Sequence, residues 1–273
     1  KMQACGNDYL CSDCRDQIID NPAGLGVRLC QRHYGIGAEG VVLLLPSSKA
    51  DFKMVMYNQD GTEGGMAGNA IRLLAKYAYE QKVINKPNIL VETSSGTRSV
   101  WLQKRGSVVH HAGVDMGAAR LASTDIPTIL KGETIIDAPV DIGRGYRITC
   151  VNMGNPHAVA FVGNLDTMDV AAEGSAMEHA TTFPQRGDAE FVQVLDEHTL
   201  RLRTWERGNG ETWACGTGAC AAVVAAVLNW HCRQGEEITV KLRGGDLLVR
   251  YNLDGTVHMA GNVEHVYSGT VEL

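Results

Sequence analysis

Cys215 lies in a loop whose composition suits acid–base chemistry. The segment ERGNGETWACGTGA (206–219) places glycines and charged residues around it and leads into an apolar helical pattern. The N-terminus of a helix presents unpaired N–H groups and a partial positive charge, and this field lowers the pKa of a neighbouring thiol. We therefore predict that Cys215 transfers protons as a thiolate. The alternative is a buried cysteine that serves only packing.

The loop around Cys215 has a counterpart earlier in the chain. NQDGTEGGMAGNA (58–70) precedes one long helical pattern as 206–219 precedes another, and Ala67 occupies the position that matches Cys215. The chain is therefore predicted to contain two copies of one strand–loop–helix design, with a boundary near HAGVDMG (111–117).

Both loops end in residues suited to holding a carboxylate. Two facing helix N-termini would form a cradle for an anion. Gly68 and Gly216 allow a ligand to approach the backbone closely, and Asn69 and Thr217 add side-chain hydrogen-bonding groups. We expect these residues to bind the reacting carboxylate of a small molecule.

Strand-like runs dominate the rest of the chain, and a few segments interrupt them with helical patterning. Long helices are predicted at 70–82 and 218–235, and AGLGVRLCQRHYGIG (23–37) is predicted to contain a helix that ends at Gly35. The segment 218–235 is apolar nearly all round, which is typical of a helix buried inside a strongly curved sheet. Strands are predicted at 40–45, 52–57, 88–93, 146–153, 157–162, 191–195, 199–206, 237–242 and 246–252.

Composition limits the class of protein. A length of 273 residues suggests two domains, and 44% hydrophobic with 21% charged residues is typical of a globular protein. A net charge of −6 without a basic stripe argues against a nucleic-acid partner, and no apolar run reaches the roughly 20 residues of a membrane span. The first residues show no signal-peptide core, so we expect a cytoplasmic enzyme with eight reduced cysteines.

One metal site is an alternative for some of these cysteines. Cys11-x2-Cys14 followed by Cys30-x2-His33 has a spacing similar to that of zinc ligands. A closed zinc knuckle needs tight turns beside both pairs, whereas Cys30 and His33 fall on the last turns of a predicted helix. We therefore predict that the protein binds no metal.

Four segments together resemble the signature segments of the diaminopimelate epimerase family. They are KMQACGNDY, NQDGTEGGMAGNAIR, NMGNPHAV and ERGNGETWACGTGACA, in the family's order and spacing. The resemblance covers essentially the whole chain and implies two α/β pseudo-repeat domains, each a strongly curved mixed sheet around a central helix. The expected domains are residues 1–112 with about 262–273, and 113–261. The resemblance also implies a homodimer that uses no cofactor and binds an amino-acid substrate in a cleft between the domains.

The resemblance assigns roles to particular residues. In the family, two cysteines flank the substrate α-carbon, one removing its proton and the other delivering a proton to the opposite face; here these positions are Ala67 and Cys215. His157 and Glu206 would accept protons beside them, although His157 could instead be a turn residue and Glu206–Arg207 a surface ion pair. The residues implied to bind substrate are Asn7, Asn58, Gly68, Asn69, Asn155, Asp188, Glu206, Arg207, Gly216 and Thr217.

Two residues depart from the family pattern. Ala67 replaces the first catalytic cysteine, so we expect impaired activity, either through an engineered substitution or in a natural paralogue, which could bind an amino acid without chemistry. Asp188 stands where the family usually has asparagine, and its charge would repel a distal carboxylate and attract a cation. Arg207 favours interconversion of LL- and meso-diaminopimelate, a step of lysine and peptidoglycan synthesis. A cationic amino acid such as histidine is the rival substrate.

Overall fold

The chain divides into two compact units. The computed structural model describes residues 1–65 and 67–272. Unit 1 comprises residues 1–115 and the segment from Ala260 onward, and unit 2 comprises Met116–Met259. Each unit combines parallel and antiparallel strand pairs with α-helices, which confirms the predicted α/β fold class. Within the described residues, no helix has both the length and the apolar character that a membrane crossing requires.

Unit 1 is a mixed sheet with two helices in its described part. Its elements are β1 (Met2–Ala4), β2 (Asn7–Asp13), α1 (Pro22–Cys30), β3 (Gly40–Leu45), β4 (Phe52–Asn58), β5 (Glu63–Gly64), α2 (Gly68–Glu80), β6 (Asn88–Thr93), β7 (Gly96–Arg105) and β8 (Val108–Ala118), the last of which continues into unit 2. β2 pairs in parallel with β3, and β4 in parallel with β6. The pairs β1–β2, β3–β4, β4–β5, β6–β7 and β7–β8 are antiparallel.

Unit 2 is built in a similar way. Its elements are β9 (Ala138–Asp141), β10 (Gly145–Asn152), β11 (Pro156–Phe161), α3 (Val170–Glu178), β12 (Asp188–Asp196), β13 (Thr199–Glu206), β14 (Gly210–Glu211), α4 (Gly216–Leu228), β15 (Glu237–Leu242), β16 (Gly245–Tyr251) and β17 (Thr256–Asn262). The chain leaves unit 2 within β17. It then adds β18 (Glu264–His265), which is antiparallel to β1.

The pairing pattern of unit 1 recurs in unit 2, as the repeated loops predicted. β11 and β12 are parallel like β2 and β3, and β13 and β15 are parallel like β4 and β6. The pairs β10–β11, β12–β13, β13–β14 and β15–β16 are antiparallel, as are their counterparts in unit 1. Each of the nine predicted strands is present. The register therefore gives residue-by-residue equivalences, in which Gly40 at the start of β3 corresponds to Asp188 at the start of β12.

Each unit packs its sheet against one buried helix. In α2, Ile71, Leu73 and Leu74 are fully buried, and the helix contacts β1, β2, β3 and β7. In α4, every residue from Gly218 to Ala226 is buried, and the helix contacts β10, β11, β12, β13, β15 and β16. The all-round apolar pattern of α4 thus correctly predicted a helix enclosed by sheet.

Several helix ends differ from the sequence-based predictions, and one helix was not predicted. α1 ends at Cys30 rather than Gly35, because the N–H groups of Ile36 and Gly37 both bond the Leu29 carbonyl and close the helix early. α4 ends at Leu228, where the Asn229 side chain caps the Ala225 carbonyl. Helix α3 was not predicted, since its sequence of small residues has little amphipathic pattern; the Asp169 side chain caps it by accepting from the Ala172 N–H.

Candidate active site

Cys215 is the N-cap residue of α4. Its Sγ accepts a hydrogen bond from the Gly218 N–H at 3.3 Å and lies 3.4 Å from the Thr217 Oγ1. Only 6% of the residue is exposed. The sulfur therefore satisfies one of the N–H groups that the first turn of a helix leaves without a backbone partner.

The prediction that the helix N-terminus lowers the pKa of Cys215 is wrong. Burial raises the pKa of this thiol well above its usual value, and the charges of Glu206, Glu190 and Asp188 raise it further, against a smaller opposing effect of the Thr217 hydroxyl. Burial and neighbouring negative charge both disfavour a thiolate. Cys215 is therefore a protonated thiol that can donate a proton and that needs a base before it can accept one.

Glu206 has the properties of such a base. It is the half-buried last residue of β13, and its Oε1 accepts a hydrogen bond from the Thr212 Oγ1 at 2.6 Å. Burial raises its pKa to about 7, with help from the charges of Asp188 and Glu190, although the hydrogen bond from Thr212 acts in the opposite direction. A group whose pKa lies near the working pH can both take and return a proton.

The raised pKa of Glu206 predicts a pH-dependent stability. Folded Glu206 binds its proton more tightly than the unfolded chain does, so stability should fall as pH rises from about 4.5 to about 7. We expect Glu206→Gln to raise the free energy of unfolding at pH 8 by about 1–2 kcal/mol and to change it little at pH 4.5. Urea unfolding at the two pH values measures the difference. Equal differences at both pH values would show that Glu206 does not titrate in this range.

Asp188 begins β12 and is engaged through both carboxylate oxygens. Its Oδ1 accepts from the backbone N–H of Arg207 at 2.8 Å, and its Oδ2 accepts from the Asn155 Nδ2. The exposed Arg207 guanidinium donates to the Gln185 carbonyl at 3.1 Å, so its charge is not directed to Glu206 as a surface ion pair would require. Unit 2 thus brings Asn155, Asp188 and the Arg207 backbone together.

His157 lies in a buried polar cluster with a residue that the sequence did not single out. Its Nδ1 is 2.9 Å from the Glu190 Oε1, and neither side chain is exposed. The Thr204 Oγ1 donates to the other oxygen of Glu190 at 2.6 Å. Burial alone would lower the pKa of His157, but the hydrogen bond and charge of Glu190, with the charges of Asp188 and Glu206, outweigh it and raise that pKa. His157 therefore lies in a strand, with nearby carboxylates that stabilise its protonated form, and is not a turn residue satisfied by the backbone.

The alternation of side chains between the two faces of a strand could have identified Glu190 from the sequence. Successive side chains of a strand point to opposite faces, so Asp188 and Glu190 share a face of β12, and Thr204 and Glu206 share a face of β13. Two acidic residues two positions apart in the buried and otherwise apolar run 188–192 are unusual in a core. This alternation was a usable signal for the cluster.

Unit 1 holds the counterpart of Cys215. Ala67 is the N-cap residue of α2, with φ −110° and ψ 117°, and Cys215 has φ −113° and ψ 114°. The Ala67 carbonyl accepts from the Ile71 N–H at 3.0 Å, as the Cys215 carbonyl accepts from the Ala219 N–H at the same distance. Ala67 provides no side-chain cap. A cysteine at position 67 would therefore have the same backbone conformation as Cys215.

The other unit 1 site residues surround the start of α2. The Asn69 Nδ2 donates to the Asn7 Oδ1 at 3.2 Å, while the Asn69 Oδ1 accepts from the buried Arg72 guanidinium at 2.7 Å. Arg72, which the sequence analysis did not select, also donates to the Gly68 carbonyl at 3.2 Å and so fixes the first turn. Asn58 is bonded instead to Thr62, through its Nδ2 and the Thr62 Oγ1. The structure therefore brings Asn7, Gly68 and Asn69 together and ties Asn58 to its own loop.

The eight cysteines form no disulfide bond, and seven of them are buried. In the described part of the chain, no group of three or more His, Cys, Asp or Glu side chains is arranged to hold a metal ion.

Comparison with known proteins identifies the family. Residues 1–122 and 149–266 match the diaminopimelate epimerase family. The chain is 44% identical over 275 residues to the diaminopimelate epimerase of Acetivibrio thermocellus, covering 100% of this chain and 98% of that protein. It is 40% identical over 275 residues to the diaminopimelate epimerase of Methanococcus maripaludis, covering 100% of this chain and 99% of that protein.

Solved structures of low sequence identity share the fold. A probable proline racemase from Agrobacterium radiobacter has a TM-score of 0.71 at 14% identity, covering 100% of this chain and 92% of that chain. A PhzF-family phenazine biosynthesis protein from Bacillus anthracis has the same TM-score and identity, with coverages of 98% and 94%. The fold and the full-length relatives agree with the four sequence segments. The chain belongs to the diaminopimelate epimerase family and is an isomerase of the epimerase and racemase type.

Proposed function

We propose that this chain has the architecture of a cofactor-independent, two-base amino-acid epimerase that interconverts LL- and meso-diaminopimelate. The observation that carries the proposal is the shared N-cap conformation of Cys215 and position 67, one in each repeat. Full-length relatives named diaminopimelate epimerase support the choice of substrate. In this proposal each repeat contributes one proton-transfer position, and no pyridoxal phosphate or metal takes part.

The chemical difficulty of the reaction is the weak acidity of an amino-acid α-proton. Its removal leaves an electron pair that delocalises onto the α-carboxylate, so the site must stabilise negative charge there. The backbone N–H groups at the start of α2, at Gly68 and Asn69, and at the start of α4, at Gly216 and Thr217, are suited to that role. Hydrogen-bond donors that are already in place lower the barrier without reorganisation.

Cys215 and Glu206 would carry out proton transfer on one face of the substrate. In one direction the neutral thiol of Cys215 donates its proton to the α-carbon, and the resulting thiolate regains a proton from Glu206 or solvent. In the other direction Glu206 first takes the thiol proton, and the thiolate then removes the α-proton. A carboxyl pKa of about 7 lets Glu206 take or return a proton near neutral pH, whereas the raised pKa of the Cys215 thiol favours the direction in which Cys215 donates its proton.

Position 67 would serve the opposite face, and His157 would act as a further proton acceptor, as the resemblance to the family implies. Alanine carries no transferable proton, so the chain should epimerise slowly while Cys215 still exchanges the α-proton from its own face. Incubation of LL-diaminopimelate with the Ala67→Cys protein, followed by separation of the isomers, tests the proposal. The appearance of the meso isomer is the expected result.

Asp188 favours a second candidate substrate, an amino acid with a cationic side chain such as histidine. The carboxylate adds negative charge beside Glu190 and Glu206, and this charge would attract an imidazolium or ammonium group. Diaminopimelate meets the same requirement with its distal ammonium group, while its distal carboxylate would need Arg207. Both substrates are therefore compatible with the acidic character of unit 2.

Substituting Asp188 distinguishes the two substrates. In the Ala67→Cys protein, Asp188→Asn should raise kcat/KM for LL-diaminopimelate relative to L-histidine by about 10-fold, since a repulsive charge near the distal carboxylate is removed. Initial rates with the two substrates give the ratio. A ratio that moves toward histidine would contradict the assignment of Asp188 to the distal end of the substrate.

Ala67 itself favours a third candidate, a paralogue that binds an amino acid without chemistry. Calorimetry on the unmodified chain measures such binding directly. Tight binding of an amino acid, combined with an inactive Ala67→Cys protein, would favour this role over epimerisation. The homodimer and the cytoplasmic location expected from the sequence remain predictions.

A further inference from the structure

We propose that Glu190 is a positioning residue for His157, holding the imidazole in the orientation and charge state in which its Nε2 exchanges protons with a reacting group. This inference rests on the proposed function, because it assigns Glu190 a part in proton transfer. The structural observations that carry it come from unit 2 and from its comparison with unit 1.

The first observation is the geometry of the imidazole. The Glu190 Oε1 is 2.9 Å from the His157 Nδ1. Burial raises the pKa of Glu190, and the hydrogen bond and charge of His157 act in the opposite direction. When Glu190 is ionised it can only accept, so Nδ1 then carries the hydrogen. The His157 Nε2 is buried and has no hydrogen-bond partner among the residues that the structure describes. A buried ring nitrogen without a partner is costly unless it serves a ligand or a reaction. An imidazole that transfers protons through Nε2 typically has a carboxylate bound to Nδ1 and no hydrogen-bond partner on Nε2, as His157 has here.

The second observation is that the repeat does not require this polar cluster. Glu190 pairs with Thr204 across β12 and β13, and the equivalent pair across β3 and β4 is Val42 with Met56. Val42 and Met56 are buried and apolar. The equivalent positions of unit 1 are thus filled by buried apolar side chains. Burying the Glu190 carboxylate at this position of unit 2 costs free energy. Buried charged groups can often be replaced by apolar ones without loss of stability.

The third observation is a glycine that makes room for the carboxylate. A Cβ added at Gly218 would lie 2.4 Å from the Glu190 Oε1, closer than any real contact allows. The equivalent position in α2, three residues after the N-cap, is Ala70, which is fully buried. The backbone next to Cys215 is therefore shaped to accept the Glu190 side chain, while its counterpart in unit 1 is not.

Asp188 and Glu206 also carry charge near His157, but neither forms a hydrogen bond with its ring. The Asp188 Oδ2 is 3.7 Å from the His157 Nδ1, beyond hydrogen-bond range, and is already bonded by Asn155. Glu206 affects the imidazole through its charge alone. Glu190 is therefore the carboxylate that fixes the ring, and the others add to the field.

The titration of His157 tests the inference without any enzyme activity. NMR of imidazole nitrogens in the unmodified chain, with 15N-labelled histidine, follows His157 as pH changes. In Glu190→Gln, which keeps the shape and removes the charge, the His157 pKa should fall. Glu80→Gln is the matched control, since Glu80 forms an ion pair with Lys76 in unit 1, and it should leave the His157 titration unchanged. An unaltered His157 titration in Glu190→Gln would overturn the inference.

Activity then tests the role in proton transfer. In the Ala67→Cys protein, Glu190→Gln should lower kcat by about 10- to 100-fold with a much smaller change in KM, and should shift the pH–rate profile. A kcat and a pH profile equal to those of Ala67→Cys would overturn the inference. If Ala67→Cys converts no amino acid, the proposed function fails, and the NMR titration still decides whether Glu190 controls His157.

A variant that copies unit 1 covers the case in which Glu190→Gln does not fold. The triple variant Glu190→Val, Thr204→Met and Gly218→Ala gives unit 2 the residues Val42, Met56 and Ala70 of unit 1. We expect it to unfold cooperatively and, with Ala67→Cys, to show the same loss of kcat. Loss of cooperative unfolding would assign the cluster to the stability of the fold and overturn the inference.

Discussion

Replacing Ala67 with cysteine should raise the rate of LL-diaminopimelate epimerisation by about 10²- to 10⁴-fold, the contribution typical of a positioned acid or base. The backbone at position 67 needs no rearrangement, because its N-cap angles are within a few degrees of those at Cys215. Chiral chromatography of LL- and meso-diaminopimelate over time measures the gain.

Serine at position 67 is the matched control for this gain. Its side chain is close to cysteine in size, but its hydroxyl is far less acidic than a thiol, so Ala67→Ser should stay at the rate of the unmodified chain. Equal gains with serine and cysteine would show that position 67 acts through packing or capping. An Ala67→Cys protein that inverts no amino acid would remove the basis for a two-base epimerase.

Substituting Cys215 should abolish the α-proton exchange that we propose for the unmodified chain. Cys215 is the only thiol at a helix N-cap among the described residues, and Glu206, whose pKa is about 7, is the base that we propose for its proton. In Cys215→Ala, incorporation of deuterium into diaminopimelate in D2O should fall to the uncatalysed rate, a loss of at least about 10²-fold. Mass spectrometry of the recovered amino acid measures it.

Cys232→Ala is the control for Cys215→Ala, because both cysteines are 6% exposed and Cys232 lies beyond the end of α4. It should leave exchange unchanged. Thermal unfolding separates loss of chemistry from loss of fold, and α2 already tolerates alanine at its N-cap. Exchange that persists in Cys215→Ala would mean that another group removes the proton on this face.

Much of the fold could be predicted from the sequence because its signals are local. The apolar run of α4 and the alternating pattern of the strands predict which residues are buried. The repeated glycine-rich loops predict two copies of one strand–loop–helix unit. Helix ends depend on less visible features. α1 stops at Cys30 because the N–H groups of Ile36 and Gly37 bond the Leu29 carbonyl, and the glycines that signal the turn, Gly35 and Gly37, come five and seven residues after the helix end.

The site was less predictable, because its properties arise from residues that are distant in sequence. The loop around Cys215 indicated a lowered pKa from helix geometry alone, whereas the folded protein surrounds the thiol with Asp188, Glu190 and Glu206 and raises that pKa. These carboxylates come from two strands whose register is not visible in the sequence. The role of Arg72 in orienting Asn69 was likewise hidden, since an arginine in an amphipathic helix is usually exposed.

The most direct test of two-base chemistry is the isotope pattern during epimerisation of LL-diaminopimelate in D2O by the Ala67→Cys protein. With separate groups on the two faces, the meso product formed at early times should carry deuterium at the inverted carbon, while the remaining LL substrate keeps its hydrogen. Deuterium entering substrate and product equally from the start, or a product that retains the substrate hydrogen, would show that one group serves both faces and would contradict the account.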